Sequence, residues 1–279
     1  MYFLYLILSI LGFILFALFA IRLWDGRADR LEWNRLATLQ PQNPGIYNSV
    51  MVADLPEPAR RFFNFTITPG TPLLTVAEID MIGQFSLGTR QAPNYQQMNA
   101  KQILAAPSGF VWKLRLPGIV PVSGSDSGRW TRFRIFGLFP VARMGGNPDH
   151  SRAAYGRYVA EALFWTPAAL LPGPGVVWEK VDENTARVSV SHMGLSQAVD
   201  LKVDGDGRPV EVYFMRWSDS NPEKTHRLQP FGGKLSDFRE VQGFRLPFNV
   251  EAGNMFCTED YFVFFKAEVV SISFPLYRS

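Results

Sequence analysis

The chain opens on an unbroken apolar run. From Met1 to Ile21 no side chain carries a charge, and the first charged residue is Arg22. A helix of about 20 apolar residues matches the roughly 30 Å hydrocarbon core of a bilayer. The run therefore predicts a transmembrane anchor over residues 1–22. No Lys or Arg precedes it and no small-residue cleavage site follows, which favours an uncleaved anchor over a signal peptide. Arg22, Arg27, Arg30 and Arg35 come directly after the span. By the positive-inside rule they place the following domain in the cytoplasm, with a periplasmic placement left open. Residues 23–52 read as a juxtamembrane helix with a weak point at Gly26, followed by the polar break PQNPG.

Beyond the break the pattern changes twice. Asp54 is placed to cap a short helix with Glu57 three residues on, ending before Pro69-Gly70. From Leu73 the apolar period becomes two. Segments rich in Val, Ile, Phe and Trp recur between Gly, Pro, Asn and Asp breaks. Expected strands are 73–87, 95–105, 110–116, 119–123, 129–138, 176–181, 186–192, 198–203, 210–216, 233–241, 244–252 and 261–274. In Trp130–Phe136, Thr131, Phe133 and Ile135 share an apolar face, and Trp130, Arg132, Arg134 and Phe136 share a mixed face expected to be wet. Gly124–Gly128 reads as a flexible polar turn. A helix is expected at about 150–166, where Tyr155, Tyr158, Val159, Ala162 and Leu163 fall at helical spacing before Pro167. The fold class is mainly β (α+β). Residues 53–279 form a large curved antiparallel sheet or half-barrel with an inserted helix, which is expected to cover the concave face.

Several words of the sequence resemble an uncharacterised bacterial family of membrane-anchored proteins. They are Leu55-Pro56-Glu57-Pro58-Ala59-Arg60-Arg61-Phe62, Gly109-Phe110-Val111-Trp112, Arg157-Tyr158-Val159-Ala160-Glu161-Ala162 and Val177-Trp178-Glu179. The match runs from about residue 50 to the end. The turn Asp204-Gly205-Asp206-Gly207-Arg208 with the later pair Phe238–Val241 and Phe244–Pro247 also resembles LolA-like lipoprotein-carrier half-barrels. That resemblance implies a half-barrel holding acyl chains or a similar apolar ligand.

Composition and chemistry narrow the reading further. A net charge of +3 leaves no electrostatic footprint for nucleic acid. One cysteine, Cys257, excludes an internal disulfide. His150, His192 and His226 lie far apart without i+3 or i+4 partners, so no metal site and no cofactor is expected. No nucleophile elbow or phosphate loop is present, and no catalytic residue is assigned. The candidate ligand-binding residues are the i,i+4 pair Arg157 and Glu161, the strand residue Arg115, and the aromatics Trp112, Trp130, Trp165 and Trp178. Glu161 sits beside an apolar stretch. If it faces inward it needs a cation, with Arg115, Arg132 and Arg134 as expected partners. The alternative is a surface ion pair that fastens the helix.

The sequence thus favours a membrane-anchored protein that binds a membrane lipid or apolar small molecule. Two alternatives stay open: an accessory subunit of an integral membrane complex, and an enzyme acting on a lipid-like substrate.

Overall fold

A computed structural model of the chain describes residues 1–275. Its first element is one uninterrupted helix, Tyr2–Ala37 (α1), which passes through Gly26 without a break. A second helix, Glu57–Thr66 (α2), follows a single 3₁₀ turn. Asp54 does not cap α2, contrary to expectation. Pro56 precedes it in an extended conformation, Pro58 occupies its first turn, and Glu57 pairs with Arg61 at 2.8 Å instead.

Thirteen strands then form one antiparallel sheet. The first six are β1 (Ala77–Ser86), β2 (Tyr95–Ala105), β3 (Gly109–Leu116), β4 (Val122–Ser127), β5 (Trp130–Ile135) and β6 (Phe139–Gly145). The helix Pro148–Trp165 (α3) follows. The chain resumes with β7 (Val176–Lys180), β8 (Thr185–His192), β9 (Leu195–Val203), β10 (Pro209–Ser218), β11 (Arg227–Val241), β12 (Phe244–Asn254) and β13 (Phe262–Ser273). In space the order is β6-β5-β4-β3-β2-β1-β13-β12-β11-β10-β9-β8-β7. Each half is a simple meander, and the halves join where β1 pairs with β13. β6 and β7 are the two edges, so α3 connects opposite ends of an open sheet.

Gly124–Ser127, read as a turn, belongs to β4, and β6 was not anticipated. Both are short and polar or proline-containing. They are held by register with β3 and β5 rather than by an apolar pattern of their own.

α3 is capped by Asn147, whose side chain accepts from the His150 backbone N–H at 2.8 Å, with Pro148 in the first turn. It is buried on several sides, through Tyr155, Tyr158, Val159, Leu163 and Trp165. Gly156 permits this close seat: a Cβ there would lie 2.7 Å from the Gln197 Oε1 and 3.2 Å from the Phe214 ring. α2 closes the β7–β9 end of the core, where Phe62 and Phe63 pack on Trp178 with ring centroids 6.0 and 5.4 Å away.

The opposite face of β1–β6 is not wet, as the alternation had suggested. The last four turns of α1 lie across it. Leu36 packs with Val76, Ile103, Ala105 and Val111. The Trp33 indole donates to Glu78 at 2.7 Å, and Ser125 donates to Asp29 at 2.8 Å. Asp25 is buried and gathers three guanidinium groups: Arg132 at 3.0 Å, Arg143 at 2.6 Å, and Arg134. Gln40 then joins the helix exit to the sheet, donating to the Val76 carbonyl and accepting from the Thr75 and Val76 N–H groups.

A buried carboxylate shared by three arginines is costly to break, because its loss leaves uncompensated positive charge. Removing one partner of such a pair typically costs about 3–5 kcal/mol. Asp25→Asn is therefore expected to lower unfolding stability by about that amount in denaturant titrations. Asp80→Asn, which breaks an exposed pair with Lys101, is expected to cost under about 1 kcal/mol. Equal effects of the two substitutions would contradict this role for Asp25.

Candidate functional site

Between α3 and the concave face of the sheet lies a cavity of about 880 Å³. That is the liquid volume of roughly 30 water molecules. Its walls are mainly apolar and aromatic. β3 contributes Trp112, Leu114 and Leu116, β5 contributes Phe133 and Ile135, and β13 contributes Phe264 and Phe265. β10 and β11 add Val212, Phe214 and Phe231, and α3 adds Phe164 and Trp165. Trp112 stands at the centre, with the rings of Phe85, Phe133 and Phe265 at 6.1–6.4 Å. The alternation of the strands brings these residues together, since Leu114 and Leu116 follow Trp112 at a period of two.

One wall is polar, and the sheet register builds it. Gln102 on β2 lies opposite Trp112, Trp112 opposite Asp126 on β4, and Asp126 opposite Thr131 on β5. Arg157 and Glu161 come down onto this row from α3, one helical turn apart. Arg157 donates to Glu161 at 2.7 Å, to Asp126 at 2.8 Å and to Gln102 at 3.3 Å. Gln102 donates in turn to Glu161 at 2.5 Å. The guanidinium also lies over the Phe110 and Trp112 rings, 4.6 and 4.9 Å from their centroids. Asp126 accepts from Thr131 at 2.6 Å, and Thr131 meets His150 Nε2 at 3.1 Å. The two carboxylates raise the Arg157 pKa against the opposing effect of burial.

Arg216 on β10 differs from Arg157. It lines the cavity and lies 4.8 Å from the Phe231 ring centroid. Among the described residues it makes no ion pair, and its buried Nε has no hydrogen-bond partner. Burial, reinforced by the nearby Arg157 charge, pushes its pKa down to about 10, so it stays a cation at neutral pH. The indole N–H groups of Trp112 and Trp165 are also buried without an acceptor. All three unpartnered groups are donors. Buried donors without partners are uncommon in native proteins, and here they line one cavity.

Four of the residues singled out from sequence meet at this cavity: Arg157, Glu161, Trp112 and Trp165. Three lie elsewhere. Arg115 is exposed on the far face of β3, one position out of phase with Trp112 and Leu114. Trp130 is buried on the α1 side, where its indole donates to Ser125 and Arg132 covers its ring. Trp178 packs on α2 and donates to the Leu170 carbonyl at 2.9 Å. The partners expected for Glu161 are also different, because Arg132 and Arg134 are taken by Asp25 on the other face. Arg216 lines the cavity and Gln102 bonds Glu161 at its polar wall, and neither carries a motif in the sequence. Each is a polar residue at an inward-facing position of an alternating strand, which is the signal that could have found them.

Residues 45–267 match DUF6544, a family of unknown function, and the chain belongs to that family. A search of curated proteins returns no match. Among solved structures, the chain is similar to a LolA superfamily protein from Nitrosomonas europaea. Identity is 9% with a TM-score of 0.42, covering 78% of this chain and 92% of that one. It is also similar to a domain from Vibrio parahaemolyticus assigned to outer membrane lipoprotein sorting. There identity is 10% with a TM-score of 0.35, covering 71% and 85%.

The polar wall has a pH signature. Burial pushes the His150 pKa below its ordinary value of 6.5, outweighing the raising effect of Asp126. Below about pH 6.5 the unfolded chain takes up a proton that the folded protein resists, so stability falls as pH drops through and below that point. His150→Gln is expected to flatten the decline between pH 7.5 and 5.5 in urea titrations. An unchanged slope in the variant would place the titration elsewhere.

Proposed function

We propose that this protein is a membrane-anchored carrier or receptor for an amphiphile, with an apolar chain held in the half-barrel and an anionic head group at Arg216. The observation that carries the reading is the cavity itself. It is large, apolar and aromatic, and the buried side-chain atoms left without a partner on its lining residues, Arg216 Nε and the indole nitrogens of Trp112 and Trp165, are donors. Filling it with about thirty waters would set apolar walls against solvent, whereas a hydrocarbon chain satisfies them. An indole N–H or a guanidinium accepts no hydrogen bond, so the complementary ligand atoms are acceptors. A carboxylate or a phosphate provides them with charge. The Arg157–Glu161–Asp126–Gln102 network leaves little capacity of its own for a ligand. Its role in this reading is to fasten α3 over the sheet and hold one wall of the cavity in place.

The anchor in this reading is the first part of α1, a helix long and apolar enough to cross a membrane. Its apolar side chains, from Phe3 to Ile21, are largely exposed on the surface of the structure. Exposed apolar area on that scale is stable in lipid and unfavourable in water.

Titration of the full-length protein in mild detergent with a fluorescent polyene fatty acid and with the corresponding alcohol tests the assignment. The acid is expected to bind at one site and more tightly than the alcohol. Arg216→Met is expected to weaken the acid by roughly tenfold or more, the scale of one lost charged hydrogen bond, and to leave the alcohol nearly unchanged. Failure of both probes to bind would overturn the carrier reading. Equal weakening of the two would remove Arg216 as the head-group residue.

A further inference from the structure

The mouth of the cavity sits beside the point where α1 reaches the end of its apolar run. The outer part of the cavity is lined by Leu87, Gly118, Ile119 and Val120. Ile119 is 98% exposed, and Leu87 and Val120 are each 52% exposed. Gly118, Ile119 and Val120 belong to the β3–β4 loop. That loop is paired to the β5–β6 hairpin tip, because the Phe136 N–H donates to the Pro121 carbonyl at 2.9 Å. The tip in turn lies against α1: a Cβ on Gly137, which has φ +65°, would stand 2.8 Å from the Arg22 guanidinium. Arg22 is the first residue after the uncharged run.

Both loops are unusual for surface turns. Leu116–Val122 reads LPGIVPV and Ile135–Val141 reads IFGLFPV, and neither contains a charge. Phe136, Phe139 and Val141 are exposed by 56%, 44% and 57%. Loops that face water are ordinarily polar, and contiguous exposed apolar tips mark a partner surface. The unbroken helix fixes which partner this is. If Met1–Ile21 fills the hydrocarbon core, a loop touching Arg22 is held at the head-group boundary by the docked half of α1. Arg22, Arg27 and Arg30 follow the uncharged run in sequence, a charge pattern that suits anionic lipid.

We infer that the β3–β4 and β5–β6 loops insert into the leaflet on the Arg22 side of the anchor, so that the cavity opens directly onto lipid and exchanges its ligand with that leaflet without crossing water. This rests on the anchored-carrier reading above and adds the route of entry to it.

The test uses spin labels on the full-length chain in liposomes of phosphatidylglycerol and phosphatidylethanolamine, with the exposed Cys257 replaced by Ser. Labels are placed at Ile119→Cys, Phe136→Cys and, at the opposite end, Asp206→Cys. Labels 119 and 136 are expected to be more accessible to oxygen than to a water-soluble nickel complex, at depths of about 5–10 Å. Label 206 is expected to show the reverse. Two results would overturn the inference: aqueous accessibility at 119 and 136 matching that at 206, or shielding of both labels from both reagents, which would indicate a covering protein. The fatty-acid titration in detergent is independent of these depths. A bound probe with aqueous labels sinks the entry route alone, and failure of both the acid and the alcohol to bind sinks the carrier reading whatever the labels report.

Discussion

An open sheet of thirteen strands has two faces to account for, and the rest of the architecture follows from how they are covered. Such a sheet curls under its own twist and collects alternate apolar side chains on the concave side. Closing into a barrel would seal that side, but β6 and β7 remain unpaired edges. The chain instead sends α3 from one edge to the other across the hollow. One helix about 10 Å wide covers only part of so broad a surface. The space left between that helix and the sheet, bounded by β3, β5, β10, β11 and β13, is the cavity. The same connection that makes the fold possible therefore leaves the space that the proposed ligand fills.

The second face is covered by α1, and the contacts there are of a different kind. Asp25, Asp29, Trp33 and Leu36 form one stripe of the helix, and each meets a matched group on the strands. The charges at the Asp25 end are desolvated, so they add little net stability but penalise any other register of the helix on the sheet. Burial lowers the pKa of Arg132 and Arg134 and raises that of Asp29, as expected for charges removed from water. In the anchored reading proposed above, a helix that is apolar at one end and register-locked at the other would hold the domain in a defined position relative to the plane of a membrane. A flexible tether would not.

Much of the fold was legible because it rests on short-range pattern. β2 is bounded as the alternation of Tyr95–Ala105 suggests, and α3 ends where Pro167 demands. β4 and β6 were obscured because their pairing partners, not their own composition, decide their state. The docking of α1 was hidden for a related reason. Asp25 and Arg134 are 109 positions apart, and nothing local to either residue announces the other. At the cavity, the i,i+4 spacing of Arg157 and Glu161 was visible in the sequence, and so was the aromatic content. Which tryptophans share a face depends on strand phase: Trp112 is in phase with the cavity, Trp130 is on the opposite face, and Trp178 is sealed under α2. Arg216 carried no motif at all. It matters because no carboxylate among the described residues pairs with it, and that is a property of three dimensions.

The central claim is that the half-barrel encloses an occupied apolar chamber. The most direct measurement is native mass spectrometry of the full-length protein released from lipid nanodiscs, with collisional activation raised until loosely attached lipid is stripped. The account predicts a single adduct of lipid or fatty-acid mass that survives after all other lipid has gone. It also predicts that crowding the chamber by the double substitution Leu114→Trp and Val212→Phe, both at lining positions, abolishes the adduct while the protein remains folded. Bare protein at the first stage of activation, or an adduct that the filled variant retains, would contradict it.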